Sequence, residues 1–470
     1  MNSRTILLGI LIVISAGCSL APSYKQPALP TAAVYPVVDD VTTGAGPGAG
    51  KVGWREFFTD VRLKELILQA LENNRDLRIA IQRVEEARAL YRIQRADLVT
   101  NINAEGAAIR SRVPSDLSVT GRAMTSSQYQ ADLGLSVWEL DFWGRVRNLT
   151  EAALESYLAT EEARRAILIS LVAQVANTYL RERELDELLE IARYTIAIRE
   201  ESYRIARRRY EVGSASKLDA VQAETLLSQA RADRALLLRQ RDTNRNALTL
   251  LVGASLVPAD TKPLSLIEPG FVSEISVGLP SDLLMNRPDV LAAEHRLKAA
   301  NANIGAARAA FFPTIVLTGA YGTASAELSG LFATGSNAWS FAPSVKLPIF
   351  EGGRNLANLD VSEARRNQAV ADYERTIQTA FREVADALAE RRWLDEQIVN
   401  QRAALAAQTE RTRLAGLRYQ NGAAPYLEVL DAERDRFVAE QALVQARRAL
   451  LSSSVNLYAT LGGGTSPESQ

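Results

Sequence analysis

The segment Gln128-Tyr129-Gln130-Ala131-Asp132-Leu133-Gly134-Leu135-Ser136-Val137-Trp138 sets apolar side chains at odd positions from Tyr129 to Val137 against polar ones at Gln128, Gln130, Asp132 and Ser136. Period two sustained over about ten residues is the pattern of a strand with two unlike faces. About ten residues is also the length that crosses a bilayer as a tilted barrel strand, apolar toward lipid and polar toward a lumen. Farther on, Trp339, Phe341, Val345 and Leu347 alternate in the same way with Ser340, Ser344 and Lys346. The spacing predicts strands over 127–138 and 338–348, with fainter partners over 101–110 and 313–323. Polar loops, Ser111–Ser127 and Ala324–Asn337, would join each pair. Four strands cannot close a membrane barrel, which needs about eight, and open edges in lipid leave backbone groups unsatisfied. If these strands span a membrane, the chain must oligomerise, and three copies supply twelve strands.

On either side of the strands the chain is helical by composition. Neither Gly nor Pro occurs from Arg145 to Val212, from Lys217 to Val252, from Arg354 to Ala415, or from Tyr426 to Leu461. These runs are rich in Ala, Leu, Arg and Glu, which favour helix. Val370, Tyr373, Ile377, Phe381, Val384 and Leu388 step by three and four and keep one face buried. The spacing predicts helices over 145–211, 217–252, 354–420 and 426–461. At 1.5 Å per residue the first would be roughly 100 Å long, a length that has to pack as coiled coil.

The chain also repeats itself. Arg209-Tyr210-Glu211-Val212-Gly213-Ser214-Ala215-Ser216-Lys217-Leu218 matches Arg418-Tyr419-Gln420-Asn421-Gly422-Ala423-Ala424-Pro425-Tyr426-Leu427, and Gly144-Arg145 matches Gly353-Arg354 in the same register. Residues 54–257 and 288–461 are therefore two copies of one unit, helix, strand pair, long helix, tight turn, shorter helix, joined by a linker over 258–287. Residues 462–470 form a tail.

The N-terminus reads as an address. Arg4 precedes an apolar run from Ile6 to Ile14, too short to span a bilayer, and residues 1–17 form a secretory signal. Ser15-Ala16-Gly17-Cys18 resembles a lipoprotein lipobox, although Ser stands where Leu is usual; by that resemblance Cys18 is lipidated. Residues 18–53, rich in Pro, Gly, Ala and Thr, form an extended tether. The 470 residues contain 54 basic and 55 acidic side chains, one Cys and one His. No global field points to nucleic acid, and a disulfide or Cys/His metal cage cannot be assembled within one chain. His295 lies in a helical stretch with no triad partners, and Glu139 and Asp141 sit at a strand-to-helix junction among Trp138, Phe142 and Trp143, which suits an interfacial role better than acid–base chemistry. No catalytic residue, cofactor or metal is called for.

Further stretches run almost end to end: Gly53-Trp54-Arg55-Glu56-Phe57-Phe58, Asn73-Asn74-Arg75-Asp76-Leu77, Trp138-Glu139-Leu140-Asp141-Phe142-Trp143-Gly144, Leu279-Pro280-Ser281-Asp282-Leu283-Leu284, Asn286-Arg287-Pro288-Asp289-Val290, the run Ala306–Pro313, Phe381-Arg382-Glu383-Val384-Ala385-Asp386-Ala387, and Asn456-Leu457-Tyr458 before Gly462-Gly463-Gly464. In this order they resemble the TolC-like outer membrane factors, specifically the lipoprotein (NodT-type) branch serving resistance-nodulation-division efflux systems. The resemblance implies an α plus transmembrane β fold. In it a trimeric 12-stranded outer membrane β-barrel, four strands per chain, is continuous with a long α-helical coiled-coil periplasmic barrel. It also implies partners: a homotrimer, a periplasmic adaptor (membrane fusion) protein, an inner membrane pump and outer membrane lipid. The two turns, Val212, Gly213, Ser214 and Ala215 with Gly422, Ala423 and Ala424, would dock the adaptor at the periplasmic tip. Glu410, Arg411, Arg413 and Arg418 form a candidate tip gate, although Gly416 stands where an acidic residue is common in the family. Drug efflux is the function so implied. The same duct serving protein secretion or heavy-metal export, and a coiled-coil lipoprotein that forms no pore, are the alternatives.

Overall fold

The computed structural model describes residues 19–36, 52–256, 266–267, 270 and 282–464. Cys18, the signal segment 1–17, part of the tether, most of the linker and the tail beyond Gly464 lie outside the described residues. In chain order the elements are α1 (Trp54–Phe57), α2 (Val61–Asn73), α3 (Arg75–Ala96), β1 (Ile102–Val113), β2 (Met124–Glu139), α4 (Arg145–Glu211), α5 (Lys217–Val252), α6 (Leu283–Asn286), α7 (Pro288–Ala309), β3 (Thr314–Ser325), β4 (Asn337–Phe341), β5 (Ser344–Lys346), α8 (Arg354–Gln420) and α9 (Tyr426–Thr460). The four long helices occupy the Gly- and Pro-free runs, with α8 continuing past its run through Gly416 to Gln420, and α4 and α8 have 67 residues each. Among the described residues no helix is long and apolar enough to cross a membrane.

The chain forms two compact units. One takes residues up to Ala28, Arg83–Glu161 and Ala292–Tyr373; the other takes Leu29–Gln82, Glu162–Leu291 and the residues from Glu374 on. The first holds an antiparallel sheet in the order β1-β2-β3-β4, with β5 also paired to β3. Its registers sort the side chains. Ala104 lies opposite Leu133, Leu133 opposite Tyr321, and Tyr321 opposite Trp339, one apolar row across four strands. Ile102, Leu135, Gly319 and Phe341 form the next row on the same face. Asn103, Glu105, Gln130, Asp132 and Ser340 fall on the other face by alternation.

Three expectations about the strands change. The predicted strand over 338–348 is two strands, because Pro343 has no N–H to give the ladder and pairing resumes only at Ser344. The loop expected over 111–127 is shorter, since β1 runs to Val113 and β2 begins at Met124. The odd-outward parity of β2 also fails at its end. The register shifts between Leu135 and Trp138, so Trp138 pairs with Leu317 and joins the apolar face.

The tether is not loose where it is described. Ser19 Oγ donates to Asn148 Oδ1 (2.9 Å), Asn301 Nδ2 to the Pro22 carbonyl (2.7 Å), Tyr24 Oη to Glu294 Oε1 (3.0 Å) and Gln26 Nε2 to Tyr373 Oη (2.9 Å). A polar strap, invisible to periodicity, holds it across the first unit.

The second unit is organised around buried polar anchors. Asp60 caps α2 through the Arg62 and Leu63 amides (2.9 and 3.1 Å) and accepts from Tyr179 Oη (2.9 Å), with Arg183 3.9 Å away. Phe57 stacks on Tyr458 with ring centroids 4.0 Å apart, and Tyr458 Oη donates to the Val52 carbonyl (2.8 Å). Arg287 bonds Asp289 (2.6 Å), Glu383 (2.8 Å) and the Thr460 carbonyl (3.0 Å). The sequence expectation of one helix before the strands gives way to α2 and α3. Asn74 separates them, capping α3 at the Leu77 amide (2.9 Å) while its Nδ2 reaches the Leu251 carbonyl (2.9 Å).

Candidate functional site

The two interhelical turns, both in the second unit, are built alike. After α4, the Ser214 amide bonds the Arg209 carbonyl (2.8 Å) and the Gly213 amide the Tyr210 carbonyl (2.9 Å). After α8, the Ala423 amide bonds the Arg418 carbonyl (2.8 Å) and the Gly422 amide the Tyr419 carbonyl (3.0 Å). This paired 6→1 and 5→2 pattern closes a helix only when the residue between turns left-handed. Gly213 (φ 76°) and Gly422 (φ 70°) meet that need at the one step where a Cβ would be strained. The following helices start differently. Ser216 and Asp219 form a reciprocal capping box on α5, whereas Pro425 begins α9 without a side-chain cap.

Both turns are exposed, and they carry apolar side chains that stand open among the described residues. Val212 (62%) and Leu218 (64%) flank the first, Leu417 and Leu427 the second. Leu218 and Leu427 are equivalent in the repeat and were not among the docking residues expected from sequence.

The four gate candidates do not act as one cluster. Glu410 and Arg413 pair with each other along α8, Nη2 to Oε1 at 2.7 Å and Nε to Oε2 at 2.8 Å. The repeat places the same pair in α4, where Arg204 binds Glu201 at 2.5 and 2.8 Å. In each, the bond from the arginine holds the carboxyl below the usual carboxylate range. Arg411 instead crosses to Asp435 on α9 (2.6 Å), and Arg418 crosses to Glu428 (2.6 Å). The Arg411 bond likewise lowers the Asp435 pKa. Arg209 of α4 donates to Tyr419 Oη of α8 and lies over its ring, 5.2 Å from the centroid, and Tyr419 packs on Tyr426 at 4.9 Å. Burial pushes the Tyr426 hydroxyl up to about 12. Below this layer Arg199 is buried, donates to the Leu226 carbonyl (2.8 Å) and lies over Phe437 (5.5 Å). Burial raises the pKa of nearby Glu433, against the pull of Arg199 and Arg436.

A family profile described as outer membrane efflux protein matches residues 66–254 and 279–463, one match per repeat. The chain belongs to the outer membrane efflux protein family. It is 47% identical over 467 residues to the toluene efflux pump outer membrane protein TtgC of Pseudomonas putida, covering 99% of this chain and 96% of the relative. It is 46% identical over 461 residues to the outer membrane protein OprJ of Pseudomonas aeruginosa, covering 97% and 95%. Among solved structures, the open-state MtrE outer membrane channel of Neisseria gonorrhoeae superposes with a TM-score of 0.87 at 40% identity, covering 96% of this chain and 100% of that one.

This outer membrane efflux protein is therefore the outer membrane channel component of an efflux pump. Its fold is that of the TolC-like trimeric channels, a transmembrane β-barrel with a barrel of long helices. The apolar face of the sheet is accordingly its lipid face. What sequence reasoning missed at the tips are the acceptors Asp435 and Glu428 and the Arg209–Tyr419 bond. The repeat register could have flagged Glu201–Arg204 against Glu410–Arg413, since both pairs stand in matching positions.

Proposed function

We propose that the protein is a lipid-anchored homotrimeric duct that receives small apolar and amphiphilic toxic compounds from an inner membrane resistance-nodulation-division pump through a periplasmic adaptor. The relatives' names, which specify toluene, solvent and antibiotic efflux, support that cargo class. The observation that carries the docking role is the pair of duplicated, glycine-closed turns with uncovered apolar side chains. Val212, Gly213, Ser214 and Ala215 on one turn and Gly422, Ala423 and Ala424 on the other form the docking surface, with Leu218 and Leu427 beside them. Photocrosslinking from Ser214 and Ala423 in cells is expected to capture a periplasmic adaptor. Correctly assembled trimers that capture none at either position would remove the docking role.

Glu410, Arg411, Arg413 and Arg418 set the resting width of the tip, Arg411 and Arg418 with Asp435 and Glu428 as counter-charges and Arg413 with Glu410. Exposed pairs each contribute only about 0–1 kcal/mol, so the gate works as a network. Glu410→Arg is expected to raise single-channel conductance, and an unchanged conductance would exclude Glu410 from the gate. Cys18 carries the lipid. Support comes from Ser19, whose bond to Asn148 lies close after Gly144, where the sheet gives way to α4. Mass spectrometry of the mature N-terminal peptide is expected to find acyl chains on Cys18, and an unmodified thiol there would refute the anchor.

A further inference from the structure

The lipid face of the sheet does not end in apolar residues. β1 and β2 pair without a register shift from Ile102↔Leu135 to Val113↔Met124. Alternation therefore carries the face of Ala104, Gly106 and Ala108 on to Arg110 and Arg112. Across the strand pair the same face continues from Leu133, Ala131 and Tyr129 to Ser127, opposite Arg110, and Thr125, opposite Arg112. Both arginines are exposed, and neither has a partner among the described residues. They stand two and four residues beyond the row of Tyr129 and Ala108, at the strand ends farthest from α3 and α4.

A barrel strand rises about 3.4 Å per residue and tilts by about 45°. The two guanidinium stems thus leave the sheet about 5 and 10 Å above the Tyr129 level. That places them just past the aromatic boundary of the hydrocarbon, in the headgroup layer of the outward-facing leaflet. Two fixed cations about 7 Å apart along the strand, each with a hydroxyl neighbour, match phosphate oxygens in charge and in hydrogen bonding. In the outer membrane that leaflet presents a phosphorylated glycolipid.

We propose that Arg110 and Arg112, with Thr125 and Ser127, form a lipid-facing site for the phosphate groups of lipid A in the outer leaflet. The site rests on the barrel placement of the sheet and goes beyond the duct function.

The test titrates purified trimer in detergent with bisphosphorylated lipid A, with the same lipid A stripped of phosphate, and with phosphatidylglycerol, counting bound lipids by native mass spectrometry. The wild type is expected to retain phosphorylated lipid A over both other lipids. The Arg110→Gln/Arg112→Gln variant is expected to lose that preference by about tenfold or more, since charge-assisted bonds are removed at each site. Equal retention of the dephosphorylated form, or a preference that survives in the variant, would overturn the proposal. Equal retention of phosphatidylglycerol would make the pair a general anionic-lipid contact and overturn the assignment to lipid A. If the variant fails to assemble, the wild-type ratio of phosphorylated to stripped lipid A decides alone. Quenching by brominated lipid, taken as the difference between wild type and Trp339→Phe, separates this from the barrel placement. Quenched Trp339 without lipid A preference refutes the arginine site only, whereas unquenched Trp339 refutes the placement beneath it.

Discussion

Replacing Leu133 by Arg puts the lipid-face assignment at risk directly. On β3 the apolar face runs from Ile315, opposite Val345, to Ser325, opposite Tyr129. Ten steps at about 3.4 Å, tilted by about 45°, give a band about 24 Å tall, close to the apolar belt of outer membrane barrels. Leu133 lies opposite Tyr321, six steps from Ile315 and four from Ser325, near the middle of that band. A cation on the lipid face at this depth costs about 2–4 kcal/mol, so three chains lose about 6–12 kcal/mol per trimer. Asp132, one residue away, faces the other side, where Gln130 bonds it (2.7 Å) and Glu105 stands directly opposite. Asp132→Arg there replaces a like-charge pair by an opposite one and is expected to be neutral or mildly stabilising. The assay is the temperature at which folded trimer gives way to monomer on a semi-native gel. Leu133→Arg should lower it sharply or prevent assembly, and Asp132→Arg should leave it unchanged. If Leu133→Arg matches wild type, or both substitutions damage the trimer equally, the face assignment is wrong.

Other outcomes follow from the anchors and turns. Gly213→Ala and Gly422→Ala each place a Cβ at positive φ and should cost about 1–2 kcal/mol locally, seen as faster amide exchange confined to the mutated turn. Tyr179→Phe leaves buried Asp60 short of one donor and should cost about 1–3 kcal/mol in urea unfolding. Arg287→Met strands Asp289 and Glu383 around a buried position and should cost about 3–5 kcal/mol, whereas exposed Arg365→Met should be silent. The lowered Asp435 pKa means that its pairing with Arg411 favours the fold above the ordinary carboxylate range. That contribution is lost as pH falls through the lowered value, below about pH 4. Protection factors at the α8–α9 turn, exchange rates divided into the intrinsic rate at each pH, should therefore fall as pH drops from neutral to about 3, and Asp435→Asn should abolish the change.

Periodicity and punctuation made much of the fold legible. Long helices favour runs without Gly or Pro: α4, α5 and α9 lie within three such runs, and α8 passes beyond a fourth, through Gly416 to Gln420. The alternation around Leu133 predicted a two-faced strand because a one-residue slip would invert every side chain. It failed at Pro343 and at the bulge before Trp138, where a missing donor and an extra residue break the ladder without disturbing composition. The strap from Ser19 to Gln26 was illegible for another reason. Its bonds go to Asn148, Glu294, Asn301 and Tyr373, distant in sequence, and no local pattern encodes such partners. The same limit hid Asp435 and Glu428. A run of charges on a helix shows that ion pairs can form, while the facing helix decides which do.

The duplication explains why the two tips share a frame and differ in what ties them together. Both keep the glycine turn and the Glu-x-x-Arg pair, which depend on one helix alone. Contacts between helices have diverged. In the second hairpin Arg418 reaches Glu428 (2.6 Å), four residues before and six after Gly422. In the first, the equivalent Arg209 turns away from its own hairpin to Tyr419, and the nearest cross-helix ion pair, Glu200 with Arg231 (2.7 Å), lies 13 and 18 residues from Gly213. At its outermost layer the α4–α5 tip thus leans on the α8–α9 tip through Arg209, beyond the Ser202–Tyr426 bond and the Arg199–Phe437 contact deeper in, while the second is closed on itself. Arg209→Ala should free the first tip alone, speeding amide exchange around Ser214 and leaving Ala423 as it was. Arg418→Ala should loosen the second turn and, through Tyr419, the first as well. Equal effects of the two substitutions on both turns would show that the hairpins are coupled by something other than Arg209.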